Sequence, residues 1–132
     1  DLRAINIPQS IIPNCIDELP ILAVAMSFAE GISVISGAEE LRHKETDRIM
    51  AISEMLKAAG VSFEEKEDGV EIHGNPDFSF DSATFKSFHD HRIAMASAIL
   101  SLKGDSSSEI LDAECAAVSY PGFWDDLLAL YL

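Results

Sequence analysis

Three cationic side chains, Arg42, Lys44 and Arg48, lie within seven residues of a chain whose formal net charge is −14. The chain holds nine lysines and arginines against 23 aspartates and glutamates, so this cluster is a local exception. Clustered cations can bind an anion, and arginine suits carboxylates and phosphates because its planar group donates two parallel hydrogen bonds. Chance clustering on a solvated face would give the same pattern, and charge alone does not separate the two interpretations.

Arg48 and Arg92 each fall in the first turn of a predicted helix. A positive charge there opposes the helix dipole at a cost of about 0.3–1 kcal/mol when exposed. An anion held between the two arginines would offset that cost. The neighbouring acids Asp47 and Asp90 could offset it equally well, so both interpretations stay open.

The candidate acid–base residues are Asp17 and Glu45. Glu45 directly follows Lys44, and cationic neighbours keep a carboxylate ionised, so that it can accept a proton or hold a hydroxyl. Each residue has a plainer alternative. Glu45 could be a helix-dipole acid, Asp17 could be the N-cap of a buried helix, and Thr46 is predicted as an N-cap.

A metal site is suggested by His89-Asp90-His91 but is not what we predict. Closely spaced positions at a helix start point the two imidazole rings in different directions, and no further cluster of ligands is evident. Cys15 and Cys115 have no CxxC spacing, which argues against a zinc site or a disulfide framework. A reducing cytoplasm suits them best.

The spacing of apolar residues and turn signals predicts the elements that must position these side chains. Helices are predicted at 17–30, 47–59 and 90–103, with a last one beginning at Pro121. Strands are predicted at 4–7, 32–35, 61–65, 70–73 and 109–112, with a hairpin turn at Asp68-Gly69. Gly31 and Gly60 are predicted helix C-caps.

A weak internal repeat organises these elements. When Asp17 is superposed on Asp90, Gly31 and Gly104 coincide, each fourteen residues later. We interpret this as two βαβαββ units, at about 3–74 and 80–132, the second incomplete and with no linker between them. The segments that contain Arg48 and Arg92 would then both lie at helix starts, where unpaired N–H groups attract anions.

Composition narrows the class of protein. Hydrophobic residues make up 48% and charged residues 24%, which is typical of a soluble globular chain. The acidic balance argues against a nucleic-acid surface, and the most apolar stretch, 19–29, is too short to span a bilayer. No targeting segment is visible. The chain begins at Asp1 without a methionine, which we interpret as a piece of a longer protein.

Four segments stand in the order found in the enolpyruvyl transferases. They are IDELP at 16–20, LRHKETDRI at 41–49, HDHRIAM at 89–95 and SYPGF at 119–123. KETDR followed about forty residues later by DHR specifically resembles the enolpyruvylshikimate-phosphate synthase family. The UDP-N-acetylglucosamine enolpyruvyl transferases share that fold but lack this pair, and they are the alternative.

The resemblance implies an α/β fold, the inside-out α/β barrel in which helices pack inside and sheets outside. Members have two similar domains of three βαβαββ units each, with the substrates between them. This chain would hold about two of the three units of the C-terminal domain. Its implied partners are the missing N-terminal domain and two small-molecule substrates, with no nucleic acid and no membrane.

The implied reaction transfers the enolpyruvyl group of phosphoenolpyruvate to the 5-hydroxyl of shikimate 3-phosphate and releases phosphate. It serves aromatic amino-acid biosynthesis and uses no cofactor and no metal. By resemblance, Asp17 holds and deprotonates the attacking hydroxyl, and Lys44 lies close to that hydroxyl. Glu45 would transfer the proton at the enolpyruvyl methylene. We expect the chain alone to be inactive, the alternative being a half-site that never catalyses.

The resemblance also implies that Arg48 and Arg92 clamp phosphoenolpyruvate, whose mimic glyphosate inhibits the family, and that Asp90 and His91 line the same site. One position departs from the pattern. Many members carry a lysine two residues before the Tyr/Phe-Pro pair, where this chain has Val118. It is thus closer to the bacterial members without that lysine, which leaves its sensitivity to glyphosate open.

Overall fold

A computed structural model describes residues 1–130. Its helices are α1 (Leu19–Ser27), α2 (Arg48–Ala59), α3 (His91–Ser101) and α4 (Phe123–Ala129). Its strands are β1 (Gly31–Ile35), β2 (Ser62–Lys66), β3 (Gly69–Gly74), β4 (Thr84–Lys86) and β5 (Glu109–Leu111). Short 3-10 helices cover Gln9–Asn14, Ile16–Glu18, Glu39–His43 and Ala113–Val118. Helices and strands are therefore interspersed along the chain, and the predicted α/β class is confirmed.

The larger sheet has the strand order β1-β3-β2, and both pairings are antiparallel. The predicted hairpin is confirmed, but its turn is Glu67-Asp68 rather than Asp68-Gly69, because Lys66 pairs with Gly69 and Gly69 already lies in β3. The smaller sheet pairs β4 with β5 in parallel. Strand β4 was not predicted, because three residues are too few to show a period.

The predicted strand at 4–7 is present only as isolated parallel bridges to the β1 region, Arg3 with Glu30 and Asn6 with Val34. Between the bridges the Ile5 N–H donates to the Ser33 hydroxyl at 3.1 Å instead of to a carbonyl of β1. A side chain thus takes the place of one bond of the ladder, so no continuous strand forms.

Helices α1, α2 and α3 pack together. Helices α1 and α2 contact the larger sheet, whereas α3 contacts β4 and β5 of the smaller sheet. The fully buried apolar side chains come from all three helices and from the sheet, and include Leu19, Ala23, Ile49, Ile52, Leu56, Ile72, Phe85, Ile93 and Leu100. Burying each large aliphatic side chain of this kind stabilises the fold by about 1.5–3 kcal/mol. A second, smaller cluster joins α3 to α4 through Ala94, Ala98, Ala116 and Phe123.

The start of α1 differs from the prediction. The helix begins at Leu19, and Asp17 lies before it in the 3-10 helix Ile16–Glu18, so Asp17 is not the N-cap. Gly31 is not a C-cap either. It opens β1 at φ 105°, where a Cβ would lie 3.1 Å from the Ala4 side chain. That close strand contact, rather than helix termination, explains this glycine.

The other helix ends follow the prediction more closely. Helix α2 is confirmed, with Gly60 in the left-handed conformation at its C-cap. Its N-cap is Asp47 rather than Thr46, and the Asp47 carboxylate accepts from the Met50 N–H at 3.0 Å. Helix α4 begins at Phe123, two residues after Pro121. The division into units at about 3–74 and 80–132 stays a prediction.

Among residues 1–130, no helix combines the length and the apolar character that crossing a bilayer requires.

Gly69 should be intolerant of any side chain. A Cβ there would lie 1.8 Å from the Ile35 carbonyl oxygen. We expect Gly69→Ala to lower the free energy of unfolding by about 1–3 kcal/mol or more, measured by urea denaturation. Gly122→Ala is the control, because its Cβ would meet nothing closer than 3.6 Å. Equal stability of the two variants would contradict the register of β1 against β3.

Candidate active site

Arg48 is the first residue of α2, yet its side chain is only 1% exposed. Its guanidinium donates from Nε to Asp90 Oδ2 at 2.8 Å and from Nη2 to Asp90 Oδ1 at 3.3 Å. It also donates from Nη1 to Asp17 at 2.8 Å and from Nη2 to Glu45 at 2.5 Å. Removing a guanidinium from water is costly, and these three carboxylates offset that cost. Arg48 therefore joins three separate sequence segments at one point.

Asp90 is fully buried and serves two purposes. Both of its oxygens accept from Arg48, and Oδ1 also accepts from the Arg92 N–H at 2.9 Å, which makes Asp90 the N-cap of α3. One carboxylate thus fixes the start of α3 against the start of α2. Its carboxylate has no exposed surface in this structure, and its expected place in the substrate site stays a prediction.

Asp17 and Glu45 contact the same guanidinium from the solvent side. Their side chains are 45% and 51% exposed, in contrast to Asp90. Burial raises the pKa of Asp17, but the hydrogen bond from Arg48 and the charges of Arg48, Lys44 and Arg92 outweigh it, so the pKa lies below its ordinary value. Both carboxylates can therefore be ionised and still reach solvent.

The pKa of Glu45 is also lowered. The largest cause is the hydrogen bond from its own backbone N–H, and the charge of Arg48 and the contact with His91 act in the same direction against burial. The pKa of the Arg48 guanidinium is raised, because its hydrogen bonds to Asp90 and Asp17 and the charge of Glu45 outweigh the effect of burial. Asp17, Glu45 and Arg48 therefore stay charged around neutral pH.

Arg92 and Lys44 are less tightly paired than Arg48. Arg92 Nη1 lies 3.6 Å from Glu18, and its Nε is buried without a hydrogen-bond partner in the part of the chain that the structure describes. Lys44 Nζ lies 3.6 Å from Glu40. Arg92 and Asp17 line a cleft of about 260 Å³, whose other walls are apolar side chains of α1, α3 and the α4 turn. Each of these two cations therefore has one loose acidic contact, in contrast to the three carboxylates around Arg48.

Arg42, Lys44 and Arg48 are close in sequence, but they do not all lie at the same site in the structure. Arg42 does not join the site. It donates to the carbonyls of Lys66 at 2.7 Å and Glu67 at 2.8 Å and pairs with Asp47 at 2.9 Å, which fixes α2 to the β2–β3 hairpin. Asp47, one of the two acids considered as a counter-charge for the helix-start arginines, is thus paired with Arg42.

His91 lies between two segments at the edge of the site. Its Nδ1 is 2.5 Å from Ser119 Oγ, and its Nε2 is 3.6 Å from Glu45 Oε1. His89 is exposed and lies 3.5 Å from Asp112, so the two imidazoles do point apart as expected. Ser119 was missed as a site residue, although it opens the segment SYPGF. Its neighbour Val118 is 76% exposed.

Three potential metal ligands, Glu45, Asp90 and His91, have donor atoms within 4.8 Å of one another. Two of the three already accept hydrogen bonds from Arg48. A metal ion at this point would have to displace the buried guanidinium, whose charge and geometry fit the carboxylates. The two carboxylates of this group are therefore suited to binding the arginine side chain rather than a metal ion.

The fold and the site define a mixed α/β protein in which two arginines at helix starts face a group of carboxylates. Residues 2–127 match the family model described as EPSP synthase (3-phosphoshikimate 1-carboxyvinyltransferase). The chain belongs to the EPSP synthase family.

Relatives and solved structures agree. The chain is 47% identical to the 3-phosphoshikimate 1-carboxyvinyltransferase of Aquifex aeolicus and 50% identical to that of Salinibacter ruber, over 97% and 96% of its length. The EPSP synthase structure from Acinetobacter baumannii superposes with a TM-score of 0.87 at 38% identity over 94% of the chain. In each case the chain spans 29% of the relative's own length.

Neutralising Asp90 should destabilise the fold far more than neutralising Asp47. Both are N-caps, and asparagine caps as well as aspartate. Asp90→Asn, however, leaves a buried arginine without its main counter-charge, which costs about 3–5 kcal/mol. We expect Asp47→Asn to cost about 1 kcal/mol or less, since its partner is partly exposed. Urea unfolding of both variants measures the difference, and equal losses would contradict the buried-pair interpretation.

The exposed carboxylates should give the fold a pH dependence. The pKa values of Asp17 and Glu45 lie below their ordinary values of 3.8 and 4.5. Their stabilising effect is therefore present above those values and is lost as the pH falls through the lowered ones. We expect the stability advantage of the native chain over Asp17→Asn/Glu45→Gln to shrink below about pH 4.5. Urea midpoints across the acidic range test this, and parallel curves would contradict it.

Proposed function

We propose that this chain supplies half of an active site that transfers the enolpyruvyl group of phosphoenolpyruvate to the 5-hydroxyl of shikimate 3-phosphate and releases phosphate. The relatives carry the name 3-phosphoshikimate 1-carboxyvinyltransferase. The observation that carries the proposal is the meeting of three family-like segments at Arg48, through Asp17, Glu45 and Asp90.

Phosphoenolpyruvate must be held by fixed cations before its double bond can react, so positioning and electrostatics supply most of the catalysis. Arg92 suits its anionic groups because its side chain is 33% exposed, lines the cleft beside Asp17 and pairs with Glu18 only at 3.6 Å. A guanidinium has five N–H groups, and the contacts of Arg48 use four of them. One Nη1 N–H stays available on the side of Asp17.

The three partners of Arg48 divide into one fixed and two exchangeable carboxylates. Asp90 is buried and holds the guanidinium in place. Asp17 and Glu45 are half exposed and can turn away when the carboxylate of phosphoenolpyruvate takes their place. The exchange removes the contact with Arg48, which is one of the causes that lower their pKa values, so the pKa of each rises and each becomes a stronger base.

The proton steps follow from this exchange. Asp17 takes the proton of the 5-hydroxyl as the hydroxyl oxygen attacks C2 of phosphoenolpyruvate, with Lys44 close to that hydroxyl. C3 gains its proton from Glu45, which is protonated once the exchange has raised its pKa, and this gives a tetrahedral intermediate. Phosphate then leaves, Asp17 returns its proton to the departing phosphate, and Glu45 takes a proton back from C3, which restores the double bond. Atoms and charges balance without a metal or cofactor.

The chain is only part of the proposed enzyme. We assign 3–74 and 80–132 to two of the three units of a C-terminal domain, working in the cytoplasm, where Cys15 and Cys115 are free thiols. Burial raises the pKa of the Cys115 thiol, which disfavours its reactive thiolate. The contacts to the phosphate of shikimate 3-phosphate must then come from an N-terminal complement.

An apolar groove of about 420 Å³ between α1 and α3 supports the need for more chain. It is lined by Ile21, Val24, Ala25, Phe28, Ile99, Leu102 and Lys103. Helix α1 has no charged residue and is apolar on all sides, which is typical of a helix that is buried all round. The remainder of the same domain is the proposed cover.

Phosphate release from phosphoenolpyruvate plus shikimate 3-phosphate tests the proposal, with and without the N-terminal complement of a relative. We expect release only when both parts are present. Phosphate release with UDP-N-acetylglucosamine as the second substrate, in place of shikimate 3-phosphate, would favour the alternative transferase. If the chain and its complement are folded and associated but release no phosphate, the non-catalytic half-site is the remaining interpretation.

Arg92 should matter for the use of phosphoenolpyruvate. In the complemented enzyme, Arg92→Gln removes a donor aimed at the substrate, and we expect kcat/KM for phosphoenolpyruvate to fall by about 10²–10³. Arg3→Gln is the matched control, because Arg3 is exposed on the N-terminal segment away from the site. Steady-state kinetics measure this change. An unchanged kcat/KM in Arg92→Gln would show that Arg92 does not bind phosphoenolpyruvate.

A further inference from the structure

We propose that Ser119 is a positioning residue that holds His91 in the tautomer whose Nε2–H faces Glu45. The proposal rests on the proposed function, because it concerns the residue to which the enolpyruvyl proton transfer is assigned. It adds a role for a side chain that the sequence did not single out.

The geometry places His91 between two elements. His91 is the first residue of α3, and its side chain is nine-tenths buried. Ser119 follows the 3-10 helix Ala113–Val118 and lies 28 residues further along the chain. The 2.5 Å contact between Nδ1 and Oγ fixes one side of the ring, and the other side then faces the Glu45 carboxylate at 3.6 Å.

Electrostatics select the tautomer. If Nδ1 carried the only proton, it would donate to Ser119 Oγ, and the lone pair of Nε2 would face a carboxylate oxygen, which is repulsive. If Nε2 carries the proton, the Ser119 hydroxyl donates to Nδ1 and Nε2–H points toward Glu45. The second arrangement satisfies every group, since a hydroxyl can both donate and accept.

A hydroxyl is also the right partner when His91 gains a proton. Both ring nitrogens then donate, and the Ser119 oxygen accepts from Nδ1 without a change of position. The charged neighbours of the ring come from both helix starts, with Glu45 and Arg48 on one and Asp90 and Arg92 on the other. Ser119 thus keeps the ring oriented in either state, and the orientation fixes how His91 meets Glu45.

The contact has a consequence for Glu45. His91 is one of the groups that lower the pKa of Glu45, after the hydrogen bond from its own backbone N–H. A ring that turned away would leave Arg48 as the remaining side-chain partner of this carboxylate within the described residues. Ser119 therefore acts on Glu45 through His91 and not by touching a substrate.

The test compares Ser119→Ala with Ser119→Thr in the chain combined with its N-terminal complement, with the histidines labelled with ¹⁵N. Ring ¹⁵N shifts of His91, assigned with His91→Gln, report the tautomer, and phosphate release reports kcat. We expect Ser119→Ala to mix the tautomers and to lower kcat about tenfold, as loss of one hydrogen bond would. Ser119→Thr should restore both, because it keeps the hydroxyl.

Ser106→Ala is the control, since its hydroxyl bonds to Asp81 on an exposed turn away from the site. An unchanged His91 tautomer in Ser119→Ala would overturn the proposal, whatever happens to kcat. Failure of threonine to restore the tautomer would do the same. If the native pair releases no phosphate, the proposed function fails, while the ¹⁵N shifts still decide whether Ser119 orients His91.

Discussion

The buried ion pair between Arg48 and Asp90 is the constraint on which the site depends. A guanidinium and a carboxylate that are both withdrawn from water are costly unless their geometry is good and their remaining groups are hydrogen-bonded. Here the pair has two parallel bonds, and Asp90 caps α3 with the same oxygen that receives the weaker one. The starts of α2 and α3 are therefore fixed together, and so are the side chains that follow them.

This arrangement separates a rigid part of the site from an adjustable part. Asp90 has no route to solvent, whereas Asp17 and Glu45 hold Arg48 from the open side. Before a substrate arrives, the two exposed carboxylates occupy a cation that an incoming anion would need. Under the proposed function, the carboxylate of phosphoenolpyruvate replaces Asp17 and Glu45 at Arg48. This replacement raises the pKa of both acids, so substrate binding also activates the bases.

Much of the framework could be predicted because its causes are local. The β2–β3 hairpin, the apolar spacing of α2 and the left-handed Gly60 depend on residues within a few positions of one another. The errors arose where a distant contact overrode a local signal. Gly31 looked like a helix cap but makes room for Ala4, and Asp17 looked like an N-cap but turns toward Arg48 in a 3-10 helix.

The sequence by itself determined the family, the α/β class and the segments that carry the charged residues, since these follow from residue types, order and short-range periodicity. The partners of each charge were decided only by the tertiary structure. Arg48 meets Asp17 and Asp90 across 31 and 42 residues, and His91 meets Ser119 across 28. Arg42 and Arg48, six residues apart, serve a hairpin and a buried site respectively, because packing sets the direction of each side chain and sequence spacing does not.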